Sequence, residues 1–415
     1  MFISGHIDRF SISLLLMITT SCLFAAEPIC EKTTLFPREG NTVCRIPSIV
    51  VSKNGNLLAF ADRRKGSNKD WGHDTDIVLR RSIDGGITWL PTQTIMTQEG
   101  INFHGGPALA DLHTGRMFKF FRKRPASFKD RVSFYFALFH ETATWKEWGM
   151  GSYVICSDDD GVTWSKPSRL EVEHSNEDEI VNVGNGNHGI QLNDGTLVIQ
   201  GYRLSTKASS GKTGNLTHSV LLLSQDHGIT WSRGAEWPAK YAPMEYVLID
   251  AEENGFYINQ RTQDPQRKIL RLQSIKETDQ TPHLDPALPE PTCHAGLIRL
   301  SSSSNDDRSR ILFVNPGIAN FRGGFNPTTR RQLTIRLSYD EAKTWPVSKV
   351  LEEGKAGYSD LAMLENGTIF CLYEEGKARF DENIAVAQFN LEWVTEHEDS
   401  LDDRTSVAAI ISNGH

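Results

Sequence analysis

Short apolar runs separated by turn-forming residues recur along the chain. Examples are the four-residue runs at 77–80, 153–156 and 220–223, and the longer run at 333–337. Long stretches with the 3.6-residue apolar period of an amphipathic helix are absent from the sequence, whereas runs of this length are typical of β-strands. The pattern therefore predicts an all-β protein.

Four segments share the pattern Ser-x-Asp-x-Gly-x-Thr-Trp, which we call the box. They read SIDGGITW at 82–89, SDDDGVTW at 157–164, SQDHGITW at 224–231 and SYDEAKTW at 338–345, with Ala342 replacing the glycine in the fourth. Each box follows a short apolar strand, so it is predicted to form a hairpin turn. In such a turn Asp accepts hydrogen bonds from backbone amides, Gly supplies the backbone angle, and Trp anchors the next strand. Calcium binding or catalysis by these aspartates is the alternative, but turn bonding is their ordinary use.

The spacing of the boxes favours a ring of repeated sheets. The first three begin at residues 82, 157 and 224 and the fourth at 338, so the last interval has room for a unit whose box has been lost. Four-stranded units that close into a ring form a β-propeller. Residues from about 30 to 392 have room for about five to seven blades, at ~40–50 residues each plus loop insertions.

The net charge of the chain restricts the classes of partner that it can bind. The 415 residues include 44 Lys+Arg and 52 Asp+Glu, a formal net charge of −8, which argues against nucleic acid as a partner. An anionic small substrate would need a local cluster of arginines.

No Cys/His grouping has metal-ligand spacing, so no metal site is predicted. The cysteines outside the N-terminal segment allow one disulfide, with buried free thiols as the alternative; they are Cys30, Cys44, Cys156, Cys293 and Cys371.

The two ends of the chain differ from the rest. Arg9 precedes an apolar run at 12–17, and small residues stand just before Glu27, so residues 1–26 are predicted to be a signal peptide. No apolar stretch is long enough to span a bilayer. We therefore expect a secreted, periplasmic or otherwise extracellular protein without a transmembrane segment in the mature chain. An uncleaved anchor, or a lipoprotein anchor at Cys22, is the alternative. Residues 393–415 are predicted to be a C-terminal tail.

Six further segments, interleaved with the boxes, carry a family resemblance. They are CRIPSIV at 44–50, LLAFADRRKGSNKDWG at 57–72, MEYVLIDAEENGFYINQR at 244–261, TTRRQLTIRLSYDEAKTW at 328–345, AGYSDLAML at 356–364 and CLYEEG at 371–376. With the boxes, they make the chain resemble the sialidase (neuraminidase) family of exo-glycosidases over nearly its whole mature length. The resemblance implies a six-bladed β-propeller of four-stranded antiparallel blades, with the catalytic domain at 30–392.

The resemblance also implies site residues. The family's three substrate-binding arginines match Arg45, Arg261 and Arg330, with Arg331 as the alternative to Arg330. Arg64, also predicted to bind substrate, matches a further arginine that stands six residues before an aspartate, here Asp70. A glutamate that braces the first arginine in the family matches Glu374. Three guanidiniums suit a sialic acid, because they bind its carboxylate by bidentate, charge-assisted hydrogen bonds.

The implied chemistry uses three more groups. Tyr358 matches the nucleophile, Glu245 the base that takes its proton, and Asp70 the acid that protonates the leaving oxygen and later deprotonates water. A neutral phenol avoids the repulsion that a carboxylate nucleophile would meet from the substrate's own carboxylate. A tyrosine with a pKa near 10 needs a base at neutral pH. The resemblance implies retention of configuration and no cofactor.

Other positions carry two interpretations. Asn187, His188 and Gln191 either approach the substrate or shape a Gly-rich turn. Tyr202 is expected to line the glycerol side chain of the sugar, and the segment 103–121 to help form the acetamido pocket.

The predicted function is that of an exo-α-sialidase acting on sialylated glycoproteins, glycolipids and oligosaccharides. Transfer to another sugar, hydrolysis of a deaminated nonulosonic acid, and a non-catalytic glycan-binding propeller are the alternatives. A pure binding protein has no need of the nucleophile, base and acid together.

Overall fold

A computed structural model describes residues 26–129, 149–172, 179–205, 217–239, 244–251, 255–278 and 280–401. Residues 1–25, most of the predicted signal peptide, lie outside the described residues. The strands are β1 (Cys30–Phe36), β2 (Val43–Val51), β3 (Leu57–Arg64), β4 (Thr75–Ser82), β5 (Gln93–Met96), β6 (Ile101–Ala110), β7 (Met117–Pro125), β8 (Gly151–Ser157), β9 (Ser168–Arg169), β10 (Glu179–Val183), β11 (Ile190–Gln191), β12 (Leu197–Ser205), β13 (Thr217–Ser224), β14 (Ser232–Pro238), β15 (Tyr246–Ala251), β16 (Gly255–Gln260), β17 (Gln266–Leu272), β18 (His283–Pro289), β19 (Gly296–Ser301), β20 (Arg310–Pro316), β21 (Arg331–Ser338), β22 (Val347–Met363), β23 (Ile369–Gly376) and β24 (Asn383–Phe389). A 3₁₀ turn at Pro327–Thr329 and a short helix α1 at Leu391–Thr395 complete the described elements. The prediction of an all-β protein is confirmed.

Successive strands pair antiparallel with their neighbours in the chain. The ladders divide into runs of four main strands, which we call units: β2 to β5 (unit 1), β6 to β9 (unit 2), β10 and β12 to β14 (unit 3) and β15 to β18 (unit 4). The 17-residue strand β22 serves two units, because its first part pairs with β21 and its later part with β23. Unit 5 is therefore β19 to β21 with the first part of β22. Unit 6 is the later part of β22 with β23, β24 and β1.

Apolar clusters lie between each unit and the next. Leu58 of unit 1 shares a cluster with Met117 of unit 2, and further clusters join units 2 and 3, 3 and 4, 4 and 5, and 5 and 6. A last cluster joins unit 6 to unit 1, with Leu372 and Ala59 among its members. The N-terminal strand β1 completes unit 6 by pairing with β24. This ring is what a six-bladed propeller requires, and the number of blades stays a prediction.

The box aspartates bond within their own turns. Asp84 accepts hydrogen bonds from the amide of Thr88 and the hydroxyl of Ser82, and the aspartates of the other three boxes make the same two contacts. The predicted turn role of these residues is confirmed. The tryptophan of the third box also reaches the preceding unit, since the Trp231 ring lies 5.2 Å from that of Phe120.

The packed chain extends past the predicted boundary at residue 392. Helix α1 buries Val394, and the Asp399 carboxylate lies 2.6 Å from Nη2 of the buried Arg310. The five cysteines that remain after Cys22 are all free thiols, so the disulfide that their number allowed does not form. Within the described ranges no helix is long and apolar enough to cross a membrane.

Candidate active site

Residues from separate segments of the chain meet in one cavity of about 720 Å³. Six of the predicted site residues line it: Arg45, Asp70, Glu245, Arg261, Arg330 and Tyr358. Most of them lie at strand ends or in loops between strands. Glu245 directly precedes β15, Arg261 directly follows β16, and Arg330 directly precedes β21. These six residues come from units 1, 4, 5 and 6.

Three guanidiniums surround the ring of Tyr358. The Cζ atoms of Arg330, Arg45 and Arg261 lie 5.3, 5.8 and 6.0 Å from the ring centroid. Arg330 is buried and donates to the carbonyl oxygen of Thr292 at 2.7 Å, whereas Arg331 is exposed. Of the two predicted alternatives, only Arg330 lines the cavity.

Glu374 ties the first arginine to the tyrosine. Its side chain is fully buried, and its two oxygens accept Nε and Nη2 of Arg45 at 2.6 and 3.2 Å. The same carboxylate accepts the backbone amides of Ile46 and Tyr358, both at 3.1 Å. Ile46 has φ 58°, which is rare for a β-branched residue, at the bulge in the β2–β3 ladder. The backbone bend at Ile46 thus lies beside the contacts that Glu374 makes with Arg45 and Tyr358.

Tyr358, Glu245 and Arg261 form a hydrogen-bonded group. Nη1 of Arg261 donates to the phenol oxygen at 2.8 Å and also to the Glu245 carboxylate. Burial raises the pKa of Glu245, but the charges of Arg261 and His294 outweigh it and lower the pKa to about 2. Burial, followed by the Glu245 charge, raises the pKa of Tyr358 above its usual value. At neutral pH the site thus holds a protonated phenol beside an ionised carboxylate.

Asp70 lies at the mouth of the cavity. Its side chain is 57% exposed, and its Oδ1 lies 2.7 Å from Nη2 of the buried Arg64. Partial desolvation by the surrounding cavity walls raises the pKa of the carboxyl, but the charges of Arg64, followed by His104 and Arg45, outweigh this effect and hold the pKa well below its usual range. Arg64 is therefore the partner of Asp70 and stands apart from the three arginines around Tyr358.

Tyr202 lines a neighbouring pocket. This side pocket of about 290 Å³ shares Asp70, His104 and Glu245 with the central cavity. The Tyr202 hydroxyl accepts Nη1 of Arg122 at 3.0 Å. Of the segment 103–121, His104 alone lines either cavity.

Asn187, His188 and Gln191 have structural contacts. Nδ2 of Asn187 and Nδ1 of His188 lie 3.0 and 2.7 Å from Oδ1 of Asp360, which is fully buried two residues after Tyr358. Gln191 donates to Asp111 at 2.6 Å. None of the three lines the central cavity or the side pocket. The turn interpretation is thus the one that agrees with the structure.

Sequence reasoning missed several residues of the site. Asn185 donates to Glu245 at 3.2 Å and accepts a hydrogen bond from Arg122, and its carbonyl lies 2.8 Å from Nε2 of His294. Phe380 is buried with the Arg330 guanidinium 4.6 Å from its ring centre. Asn185 stands in the NGNHG segment that we singled out for its neighbours, whereas His294 and Phe380 belong to no motif. No group of three His, Cys, Asp or Glu side chains among the described residues is arranged to hold a metal ion.

Comparison with known proteins finds a matching family model and similar sialidases. Residues 55–371 match the family model described as a BNR repeat-like domain. The chain is 29% identical to a sialidase of Micromonospora viridifaciens over 372 residues, which cover 86% of this chain and 53% of the relative. It is 28% identical to an exo-alpha-sialidase of Aspergillus fumigatus over 378 residues, with 84% of each protein covered. The chain thus spans about half the length of the bacterial relative and most of the fungal one.

Solved structures share the fold. A Hadza microbial sialidase matches with a TM-score of 0.69 and 24% identity, covering 85% of this chain and 66% of that one. The intramolecular trans-sialidase from Ruminococcus gnavus matches with a TM-score of 0.67 and 15% identity, covering 87% and 98%. At these identities the likeness concerns the fold, and it confirms the predicted β-propeller.

Proposed function

The chain belongs to the sialidase family with BNR repeat-like domains, and from this membership and its central cavity we propose that it is a retaining exo-α-sialidase with Tyr358 as nucleophile. The observation that carries the proposal is the hydrogen-bonded group of Tyr358, Glu245 and Arg261. Its substrates would be sialylated glycoproteins, glycolipids and oligosaccharides. The predicted signal peptide at 1–26 would deliver the enzyme to the outside of the cytoplasm, where such glycans occur.

Substrate recognition would rest on Arg45, Arg261 and Arg330. A sialic acid carries its carboxylate on the anomeric carbon, so guanidiniums that converge above Tyr358 would hold that carbon close to the phenol oxygen. The Glu374 and Asp381 carboxylates keep Arg45 in place at 2.6 and 3.3 Å. Much of this order would exist before the substrate arrives.

In the first step the phenol oxygen of Tyr358 attacks the anomeric carbon while Glu245 takes the phenol proton. The raised pKa of Tyr358 makes this transfer necessary, and the ionised Glu245 is able to accept the proton. The bond from the anomeric carbon to the glycosidic oxygen breaks as Asp70 donates its proton to that oxygen. The products are a covalent sialyl-tyrosine intermediate, in which the phenol oxygen is bonded to the anomeric carbon, and the free aglycone alcohol.

In the second step Asp70, now a carboxylate, takes a proton from water as the water oxygen attacks the anomeric carbon. The bond to Tyr358 breaks and the phenolate recovers its proton from Glu245. Two displacements on the same carbon retain its configuration. Every group then has the protonation state in which it began.

Asp70 must be protonated to start the cycle, although its pKa in the free protein lies below the usual range. A bound substrate carboxylate would neutralise part of the positive charge of the three arginines. Because Arg45 contributes to the lowered pKa of Asp70, this neutralisation would raise that pKa. Substrate binding would thus prepare the acid.

The test is turnover of 4-methylumbelliferyl N-acetylneuraminide by the full chain, beside Tyr358→Phe and the control Tyr373→Phe. Tyr373 is also a buried tyrosine of unit 6, so its variant reports on the loss of any buried phenol hydroxyl. We expect activity in the parent protein and the control, and loss of at least ~10³-fold in Tyr358→Phe. Proton NMR of the first product should show the α anomer. Absence of turnover by the folded parent protein, or full activity of Tyr358→Phe, would overturn the proposal.

A further inference from the structure

The loop that carries Asp70 is held by an arginine of the neighbouring unit. Arg124 lies in β7 of unit 2 and is 7% exposed. Its Cζ lies 3.4 Å from the ring centre of Trp71, and its Nη2 donates to the backbone carbonyl of Asp70. The guanidinium thus contacts Asp70 and its successor in the chain from one side. The stacking on Trp71 and the hydrogen bond to Asp70 together restrict the movement of this loop.

Asn102 completes the hold on the same loop. It is 2% exposed in β6, and its Oδ1 accepts Nε of Arg124 at 2.9 Å. Its Nδ2 donates to the carbonyl of His73 at 3.1 Å and to the hydroxyl of Thr75 at 2.9 Å, and lies 3.5 Å from the carbonyl of Asp70. Two side chains of unit 2 therefore bind the backbone of unit 1 between β3 and β4. We call Arg124 and Asn102 the bracket.

The bracket holds Asp70 in a different way from Arg64. Arg64 binds the side-chain carboxylate at 2.7 Å, an attraction that depends on the negative charge of Asp70. The bracket binds the backbone carbonyl, whose charge does not change when the carboxyl gains a proton. When Asp70 becomes the neutral acid that catalysis needs, the ion pair with Arg64 weakens and the backbone contacts persist.

From this difference we propose that Arg124, through Asn102 and Trp71, is a positioning residue that keeps the protonated Asp70 within reach of the leaving glycosidic oxygen. The inference rests on the proposed function, because it assigns Arg124 to the acid step of that reaction. Proton transfer requires heavy atoms within about 3 Å, so a loop that shifts by 1 Å loses much of the acid catalysis. Binding of the sugar carboxylate, which belongs to the three arginines, is left unaffected.

The test compares leaving groups. A 4-nitrophenyl sialoside has a leaving group that departs without a proton, whereas 3′-sialyllactose needs one. In Arg124→Lys we expect kcat on sialyllactose to fall by about 10- to 100-fold, and kcat on the nitrophenyl sialoside to fall by less than about 3-fold. Arg310→Lys is the matched control, since Arg310 is equally buried but binds Asp399 and Asp307. The control should change neither rate.

A second variant tests the same proposal in case Arg124→Lys does not fold. Asn102→Asp keeps an oxygen for Nε of Arg124 but removes the amide that donates to the loop carbonyls, so it should produce the same selective loss. On an Asp70→Asn background, Arg124→Lys should add no further selectivity, because the acid is already missing.

The outcomes separate the two proposals. If the parent protein turns over neither substrate, the proposed function fails. If the parent protein is active and Arg124→Lys lowers both rates equally, raises KM alone or has no effect, Arg124 serves sugar binding or stability and this inference is overturned. If Arg124→Lys does not fold, Asn102→Asp decides in the same way.

Discussion

Nη1 of Arg261 lies 2.8 Å from the phenol oxygen of Tyr358, and the same nitrogen donates to the carboxylate of Glu245. One guanidinium nitrogen thus lies between the proposed nucleophile and the proposed base. It favours the ionised form of Glu245, and it would stabilise negative charge that develops on the phenol oxygen during attack.

Replacing this guanidinium should impair both binding and chemistry. A lysine in Arg261→Lys keeps the charge but cannot provide the planar fork that contacts two partners. We expect kcat/KM to fall by at least ~10²-fold. Arg271→Lys is the control, because Arg271 stacks on Tyr257 and lines neither cavity. A kcat/KM within a few-fold of the parent value would show that the contact with Tyr358 is dispensable.

Removing the charge of Glu374 should weaken both fold and activity. The Gln of Glu374→Gln keeps one acceptor oxygen, yet it turns an amide group toward donors of Arg45, Ile46 and Tyr358. Breaking this buried group should lower the free energy of unfolding by about 2–4 kcal/mol. Urea unfolding measures this loss, with Glu375→Gln of the same strand as the half-buried control. Equal stability of parent and variant would contradict the bracing role of Glu374.

The pH dependence should differ between the free and the substrate-bound enzyme. In the proposed mechanism Asp70 acts as an acid only when protonated, so activity should fall as pH rises through its pKa. Positive neighbours lower that pKa in the free protein, and kcat/KM reports on this state, so its decline should begin at low pH. A bound carboxylate would raise the pKa, and the decline of kcat should lie at least about one pH unit higher. Steady-state profiles of both constants test this, and coinciding declines would contradict it.

A surface ion network should stabilise the protein only above acidic pH. Glu236 accepts Nε of Arg203 at 3.0 Å and Nη2 of Arg233 at 2.8 Å. Burial raises the pKa of Glu236, but these two arginines outweigh it and lower the pKa to about 2. Its folded pKa thus lies below the unfolded value of about 4.3. The stabilisation is therefore present above pH ~4.3 and is lost as pH falls toward 2.

Glu236→Gln should lower the free energy of unfolding by about 1–3 kcal/mol at pH 7, after allowance for solvent screening. The difference between variant and parent should shrink at pH 3. Urea unfolding at the two pH values measures it. A difference that is the same at both values would mean that the charge of Glu236 is not its source.

The first box should not tolerate a side chain at its glycine. Gly86 has φ +90°, and a Cβ there would lie 2.4 Å from Cε1 of Phe370 in unit 6. Gly86→Ala should therefore lower the free energy of unfolding by about 1–3 kcal/mol, while activity at low temperature persists. Ala342→Gly is the matched control, because the fourth box already holds an alanine at φ 57°. Thermal melting compares the two, and an unchanged midpoint for Gly86→Ala would contradict the packing argument.

The sequence by itself determined what depends on neighbours along the chain. The alternation of apolar runs with turn-forming residues predicts the strands, because side chains along a strand point alternately to the two faces of the sheet. The box turns follow from a Ser, an Asp, a Gly and a Thr within one short segment, and the contacts of Asp84 are of this kind. Through the family resemblance, the six segments also pointed to six of the residues that line the cavity. Their roles in catalysis, and the number of blades, stay predictions.

Only the tertiary structure decided which residues meet across the chain. Arg330 and Arg331 are neighbours with the same chemistry, and burial in the cavity wall separates them. Asn185 reaches Glu245 over 60 positions of sequence, and Arg124 reaches the Asp70 loop from another unit. A sequence pattern records the spacing along one strand or turn, whereas these contacts depend on how the units pack against one another. Burial of apolar surface drives that packing. Because this driving force is non-directional, it leaves no local sequence pattern that marks the polar pairs it brings together.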